Sequence, residues 1–121
     1  MKKRILVVED NIRNLELEKD LLEVAGFEVF EAVDAAEGVA MASRENFDLI
    51  VLDIRLPDMR GIDAAKILRQ EKKTSTIPIV FVTASVIEEG IEEIKTISGC
   101  GYMSKPINTR TFAKEVGQYL R

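Results

Sequence analysis

Five short apolar runs, each followed by a stretch of helical length, constrain this chain more than any other feature. They cover residues 5–8, 27–30, 49–52, 79–82 and, more weakly, 102–103 with a glycine lead-in. The first four are rich in Val, Ile, Leu and Phe, as strands buried on both faces should be. The fifth is too short to stand alone. Alternation of such runs with amphipathic stretches predicts a parallel sheet with helices on both of its faces.

The helix starts carry chemical signals. Asn11 is placed to cap a helix over 12–25 that ends at Gly26. Asp34 with Glu37 forms a capping-box pattern ahead of 35–44. A third helix is expected over 62–71. Ser85 with Glu88 opens a fourth, with Ile87, Ile91 and Ile94 on one face and Glu88, Glu89, Glu92 and Glu93 on the other, although Gly90 opposes it. Asn108 precedes the last helix, with Phe112, Val116, Tyr119 and Leu120 turned inward. The first helix has a broad apolar arc of Ile12, Leu15, Leu17, Leu21, Leu22 and Val24. At about 100° per residue these cannot all face one sheet. Leu15 is therefore read either as exposed for a docking helix or as part of a satellite core cluster.

Composition narrows the chemistry. With 121 residues, 46% of them apolar, and only three prolines, the chain fits one domain over 1–121 and not a disordered or low-complexity class. A single Cys100 excludes an intrachain disulfide, and its setting between Gly99 and Gly101 reads as a small near-core residue. The absence of histidine removes Ser-His-Asp triads, His-ligated zinc and His general bases. A net charge of −4 argues against bulk attraction to nucleic acid or anionic membranes. The N-terminal apolar run is too short for a signal peptide and no run approaches a bilayer span, so a soluble cytoplasmic protein is expected.

In open α/β sheets, ligands bind beyond the carboxyl ends of the strands. The first run ends in Glu9-Asp10, the third in Asp53, the fourth in Thr83-Ala84-Ser85 and the fifth in Ser104-Lys105-Pro106. The second ends near Glu31-Ala32 and is less telling. Taken singly, each is a polar residue beginning a loop. Together they bring three carboxylates, a hydroxyl and a lysine to one rim, which strand and helix periodicity does not demand. Clustered carboxylates must raise their pKa values or share a cation. All-oxygen ligation favours a hard ion, Mg²⁺ or Mn²⁺. A lysine supplies a point charge for an anion. The set describes a phosphoryl site beside a divalent ion, with Asp53 as the best candidate nucleophile through an acyl phosphate.

Glu9-Asp10, Asp53, Thr83 and Lys105-Pro106 on five βα units look like the receiver domain of two-component response regulators. The flanking text agrees: Val8-Glu9-Asp10-Asn11, then Asp53-Ile54-Arg55-Leu56-Pro57-Asp58-Met59 with Gly61, then Gly101-Tyr102-Met103-Ser104-Lys105-Pro106. The resemblance spans essentially the whole chain and is closest to stand-alone receivers of the cell-cycle and sporulation type. It implies a doubly wound, flavodoxin-like sheet of order 2-1-3-4-5. It implies that Asp53 accepts phosphate from a phosphohistidine on a histidine kinase or phosphotransfer protein. Asp10, Asp53 and the carbonyl of Arg55 would ligate Mg²⁺, with Glu9, in place of the more usual Asp, acting through a water. Thr83 and Lys105 would bind phosphoryl oxygens, and Lys105-Pro106 would be a cis bond. Tyr102 would be the switch aromatic, turning inward as Thr83 moves, so that the helix 4–strand 5–helix 5 face meets a downstream protein. Gly61 would permit a sharp turn. Arg55 and Ser85, two residues past Asp53 and Thr83, would line the path of the hydrolytic water, and Arg55 is expected to tune phosphate lifetime.

Three rivals are weaker. An aspartyl-phosphate phosphatase of the haloacid dehalogenase type wants a second Asp two residues after the nucleophile, where this chain has Arg55, and a longer chain. A nucleotide or flavin domain wants a phosphate loop, where this chain has Glu9-Asp10-Asn11. A receiver that binds partners without phosphorylation would not need every chemical group that is present.

Overall fold

The structure, a computed structural model, describes residues 2–84 and 90–120. Five strands form one parallel sheet: β1 (Arg4–Val8), β2 (Glu28–Ala32), β3 (Leu49–Asp53), β4 (Ile79–Thr83) and β5 (Cys100–Ser104), in the order β2-β1-β3-β4-β5. The helices between and after them are α1 (Ile12–Val24), α2 (Ala35–Arg44), α3 (Gly61–Gln70), α4 (Ile91–Lys95) and α5 (Phe112–Gly117). The parallel sheet with helices on both faces expected from the apolar runs is present, in the doubly wound order that the resemblance implies.

Side chains alternate across a strand with period two, and the core divides accordingly. Ile5, Val7, Leu49, Val51, Val80 and Val82 pack with Leu15 and Leu22 of α1 and Phe112 and Val116 of α5. Leu6, Val8, Ile50, Leu52, Ile79 and Phe81 pack with the helices of the other face, including Ala42 of α2, Leu68 of α3 and Ile94 of α4. Continuing the first set along the strands gives Glu9 just past β1 and Asp53 as the last residue of β3, and in β5 Met103 leads to Lys105 just past the strand end. The three thus share the α1–α5 side of the sheet's rim.

Local chemistry sets the helix limits. The Asn11 side chain accepts from the Asn14 amide at 3.1 Å and starts α1. At its other end the Gly26 amide donates to Glu23 O and the Phe27 amide to Leu22 O, while Gly26 takes a φ of +100°. This is a Schellman closure, which needs a left-handed residue at that point. It draws Phe27 into the helix stop, so the second strand runs Glu28–Ala32 and not 27–30 as expected. Asp34 accepts from the Glu37 amide at 2.8 Å, and Glu37 reaches back to the Val33 amide at 3.3 Å. Asp58, from the loop after β3, adds a second clamp: its two oxygens accept the Ala35 and Ala36 amides at 2.9 and 2.8 Å. Those amides are unsatisfied donors at the positive end of α2, and they hold the Asp58 carboxyl below the usual range.

Of the two readings of Leu15, the core one holds: it is fully buried against the sheet, and Ile12, Leu17 and Val24 are the exposed apolar residues of α1. In the last helix, the carbonyl of Asn108 accepts the Phe112 amide, but regular helix begins only at Phe112. Tyr119 is not in the core. Its ring lies outside β5 against Gly101, where a Cβ would come within 2.2 Å of it. The start expected for the fourth helix, at Ser85 and Glu88, falls outside the described residues, with Ile87 and Glu89. The described helix follows Gly90, whose φ is +94°.

Candidate functional site

The rim at the carboxyl ends of β1, β3, β4 and β5 gathers most of the polar residues singled out above. Glu9, Asp10 and Asp53 each bring a carboxylate oxygen within 4.8 Å of the others. Glu9 and Asp53 are buried and Asp10 is exposed, so the cluster opens to solvent at Asp10. Such a set of oxygens is a fit for one hard divalent ion.

Lys105 lies against two of the three. Its Nζ donates to Glu9 Oε1 at 2.7 Å and to Asp53 Oδ2 at 2.9 Å. The remaining oxygens are held by backbone. The Asn11 amide donates to Glu9 Oε2 at 3.1 Å, and the Arg55 amide to Asp53 Oδ1 at 3.0 Å. Burial pushes the Glu9 carboxyl well above the usual range and the hydrogen bond to Asp53 adds to it, against the pull of Lys105. Burial works against the Lys105 charge, yet its bonds to Glu9 and Asp53 leave its pKa raised.

Thr83 ends β4, buried, and its carbonyl accepts the Lys105 amide at 2.7 Å. This backbone bond fixes the Lys105 loop to the end of β4, and the Lys105-Pro106 peptide is cis, as expected. Arg55 is exposed and its backbone pairs with Arg60 in an isolated antiparallel bridge. Tyr102 stands on β5 opposite Phe81 and is exposed. Ser85 lies outside the described residues. Gly61 does not take a positive φ; it is required by close approach, because a Cβ there would sit 2.1 Å from Asp53 O. Cys100 is half-buried beside Arg69, and burial raises its thiol pKa.

One site residue escaped the reading of the sequence. Glu18 lies in the core-facing row of α1 with Leu15 and Leu22, and is 2% exposed. Burial pushes its carboxyl up to about 8, with the charges of Glu9 and Asp53 adding to the effect and Lys105 opposing it. A charged residue between two core leucines, at offsets of three and four, was the available signal.

Among the described residues, no helix is long and apolar enough to cross a membrane.

Residues 5–117 match the response regulator receiver domain family. The chain is 35% identical over 121 residues to the polar-differentiation response regulator DivK of Brucella ovis, covering 99% of this chain and 98% of that protein. The chemotaxis response regulator CheY4 of Vibrio cholerae superposes with a TM-score of 0.92 at 30% identity, covering 99% of this chain and 100% of that one. The receiver domain of sensor histidine kinase PA1611 from Pseudomonas aeruginosa superposes with a TM-score of 0.89 at 26% identity, covering 98% of each chain. That structure holds a magnesium ion coordinated in its active-site cleft.

Proposed function

The chain belongs to the receiver domains of response regulators, whose general function is to accept a phosphoryl group in two-component signalling, and from that premise we propose that Asp53 is its phosphoacceptor. The observation that carries the reading is the placing of Asp53 between Lys105 and two further carboxylates. A carboxylate oxygen of Asp53 attacks the phosphorus of a phosphohistidine on a histidine kinase or phosphotransfer protein. An O–P bond forms, the P–N bond breaks, and the imidazole leaves with a proton. The chain has no histidine, so the donor is another molecule.

Glu9, Asp10, Asp53 and the carbonyl of Arg55 are the groups that would hold Mg²⁺, or Mn²⁺. The ion would offset the repulsion between the carboxylates and the incoming phosphoryl oxygens. Lys105 and Thr83 receive those oxygens. Hydrolysis by water, slow and without a second enzyme, returns Asp53 to its free state, so the chain promotes its own phosphorylation and dephosphorylation and is otherwise a signalling module.

Phosphorylation adds roughly −1.5 to −2 charges and new acceptor oxygens. Thr83 turns toward them, Tyr102 moves inward, and the face made by α4, β5 and α5 presents a different surface to a downstream protein. This is a shift between two populations of one fold. We read residues 1–121 as one such unit, working in the cytoplasm through protein contacts, without direct nucleic acid or membrane binding.

The test is intact mass after incubation with acetyl phosphate and Mg²⁺. One added phosphoryl group is expected, labile to hydroxylamine and absent from Asp53→Asn or with a chelator. Retention of the added group in Asp53→Asn overturns the assignment.

A further inference from the structure

Glu9 and Asp10 follow β1 directly and Asp53 ends β3, so the sheet places all three carboxylates. The carbonyl of Arg55, the remaining group expected to hold the divalent ion, comes instead from the loop of residues 54–60 between β3 and α3. The base of that loop is closed by the Gly61 amide, which donates to Ile54 O at 2.7 Å, and by the bridge between Arg55 and Arg60. Its tip is held from outside. Asp58 reaches across to α2, where Oδ1 accepts the Ala35 amide at 2.9 Å and Oδ2 the Ala36 amide at 2.8 Å.

The helix that Asp58 grips is itself seated on the strand that delivers the acids. Gly38 of α2 lies so close to Val8 that a Cβ there would come within 2.8 Å of a Val8 methyl. Val8 is the last residue of β1 and precedes Glu9. Asp58 therefore braces the loop of Arg55 against the support of Glu9 and Asp10. For its own start α2 has little need of this brace. Asp34 already accepts the Glu37 amide, and Glu37 the Val33 amide. Ala36 is exposed, where water can serve its amide in place of Asp58. The loop has no such substitute, because water satisfies an amide without tethering a tip.

We propose that Asp58 is a positioning residue for the divalent ion: it fixes the loop so that the Arg55 carbonyl and the carboxylates of Asp10 and Asp53 are spaced for one small cation. The proposal rests on the Mg²⁺ site described above and adds a residue to it. Asp58 acts through Arg55 and is not itself a ligand, since both of its oxygens are taken by amides. Mg²⁺ tolerates little departure from octahedral geometry, so the spacing of its ligands sets its affinity. Outer groups that orient metal ligands change affinity by about 10- to 100-fold. Only a carboxylate offers an acceptor to both amides; a carboxamide turns its NH₂ toward one of them.

The test is a Mg²⁺ titration of the ¹⁵N-labelled protein, followed at the amides of Asp10, Asp53 and Arg55. Asp58→Ala should raise the dissociation constant about tenfold, and Asp58→Asn should raise it as well. Asp34→Ala removes the cap bond that α2 makes for itself and should leave the affinity unchanged, although it weakens the same end of the same helix. Dispersed spectra report that each variant is folded. Wild-type affinity in either variant of Asp58, or an equal loss in Asp34→Ala, overturns the role of Asp58 and leaves the metal site standing. Absence of saturable shifts in the wild type overturns the metal site and the brace together.

Discussion

Lys105 Nζ stands 2.9 Å from Asp53 Oδ2 and joins the loop after β5 to the end of β3. The same nitrogen serves Glu9 at 2.7 Å, so one cation balances two buried carboxylates. Lys105→Met leaves both without that charge, at a cost of about 3 kcal/mol. Added Mg²⁺ should then recover more stability in the variant than in the wild type. Urea unfolding with and without Mg²⁺ measures both. A variant as stable as the wild type, or one indifferent to Mg²⁺, contradicts the geometry.

Glu18 makes stability depend on pH. Its carboxyl titrates near 8 in the folded chain against an ordinary value of 4.5. The folded form holds the proton more tightly, so this contribution is full below the unfolded value. It is lost as pH rises through 8. Glu9 acts in the same direction in the wild type and the variant alike. Glu18→Gln removes the Glu18 part of the slope and should be more stable than the wild type at pH 8.5 by roughly 2–4 kcal/mol, with the gap closing toward pH 5. Urea midpoints at the two pH values decide it; a gap that does not change with pH is the contrary result.

Gly61 and Gly101 are crowded for different reasons, and alanine should separate them. At Gly61 the added Cβ meets the backbone oxygen of Asp53 at 2.1 Å, where neither side can yield. At Gly101 it meets the ring of Tyr119, an exposed side chain that can swing away. Gly61→Ala should cost about 3 kcal/mol or more and Gly101→Ala about 1–2 kcal/mol. Tyr119→Ala should relieve most of the second penalty and none of the first, as a double-mutant cycle would read.

Arg55 holds Asp53 Oδ1 through its amide, and its side chain is exposed two residues beyond Asp53. If that cation shields an acyl phosphate from water, Arg55→Ala should lose its phosphoryl group faster than the wild type. Following hydrolysis by intact mass after removal of acetyl phosphate gives the two rates. Equal rates refute the role.

Much of the fold and rim was legible in the sequence, for a physical reason. Strands buried on both faces leave unbroken apolar runs, and period-two alternation carries positions 5 and 7 on to Glu9 and 49 and 51 on to Asp53. The convergence of acids followed from that geometry once the strands were known. Helix 1 was harder. Its apolar residues spread over an arc too broad for one contact face, and only packing decides that Leu15 goes in and Leu17 stays out. The same ambiguity hid Glu18, because a charged residue is ordinarily assigned to solvent. The role of Gly61 was also misread as turn geometry, since a close backbone approach leaves no mark in the chain beyond the glycine itself. The early start of β2 was expected because Phe27 is apolar, and a helix stop consumed it instead.

The segment between Asp53 and α3 is tethered on both flanks. Asp58 grips the first amides of α2, while Arg60 holds Glu93 of α4 with both terminal nitrogens at 3.1 and 3.2 Å. The loop that follows Asp53 is thus tied directly to two helices on different flanks, and a change of charge at Asp53 would reach α2 and α4 through Asp58 and Arg60.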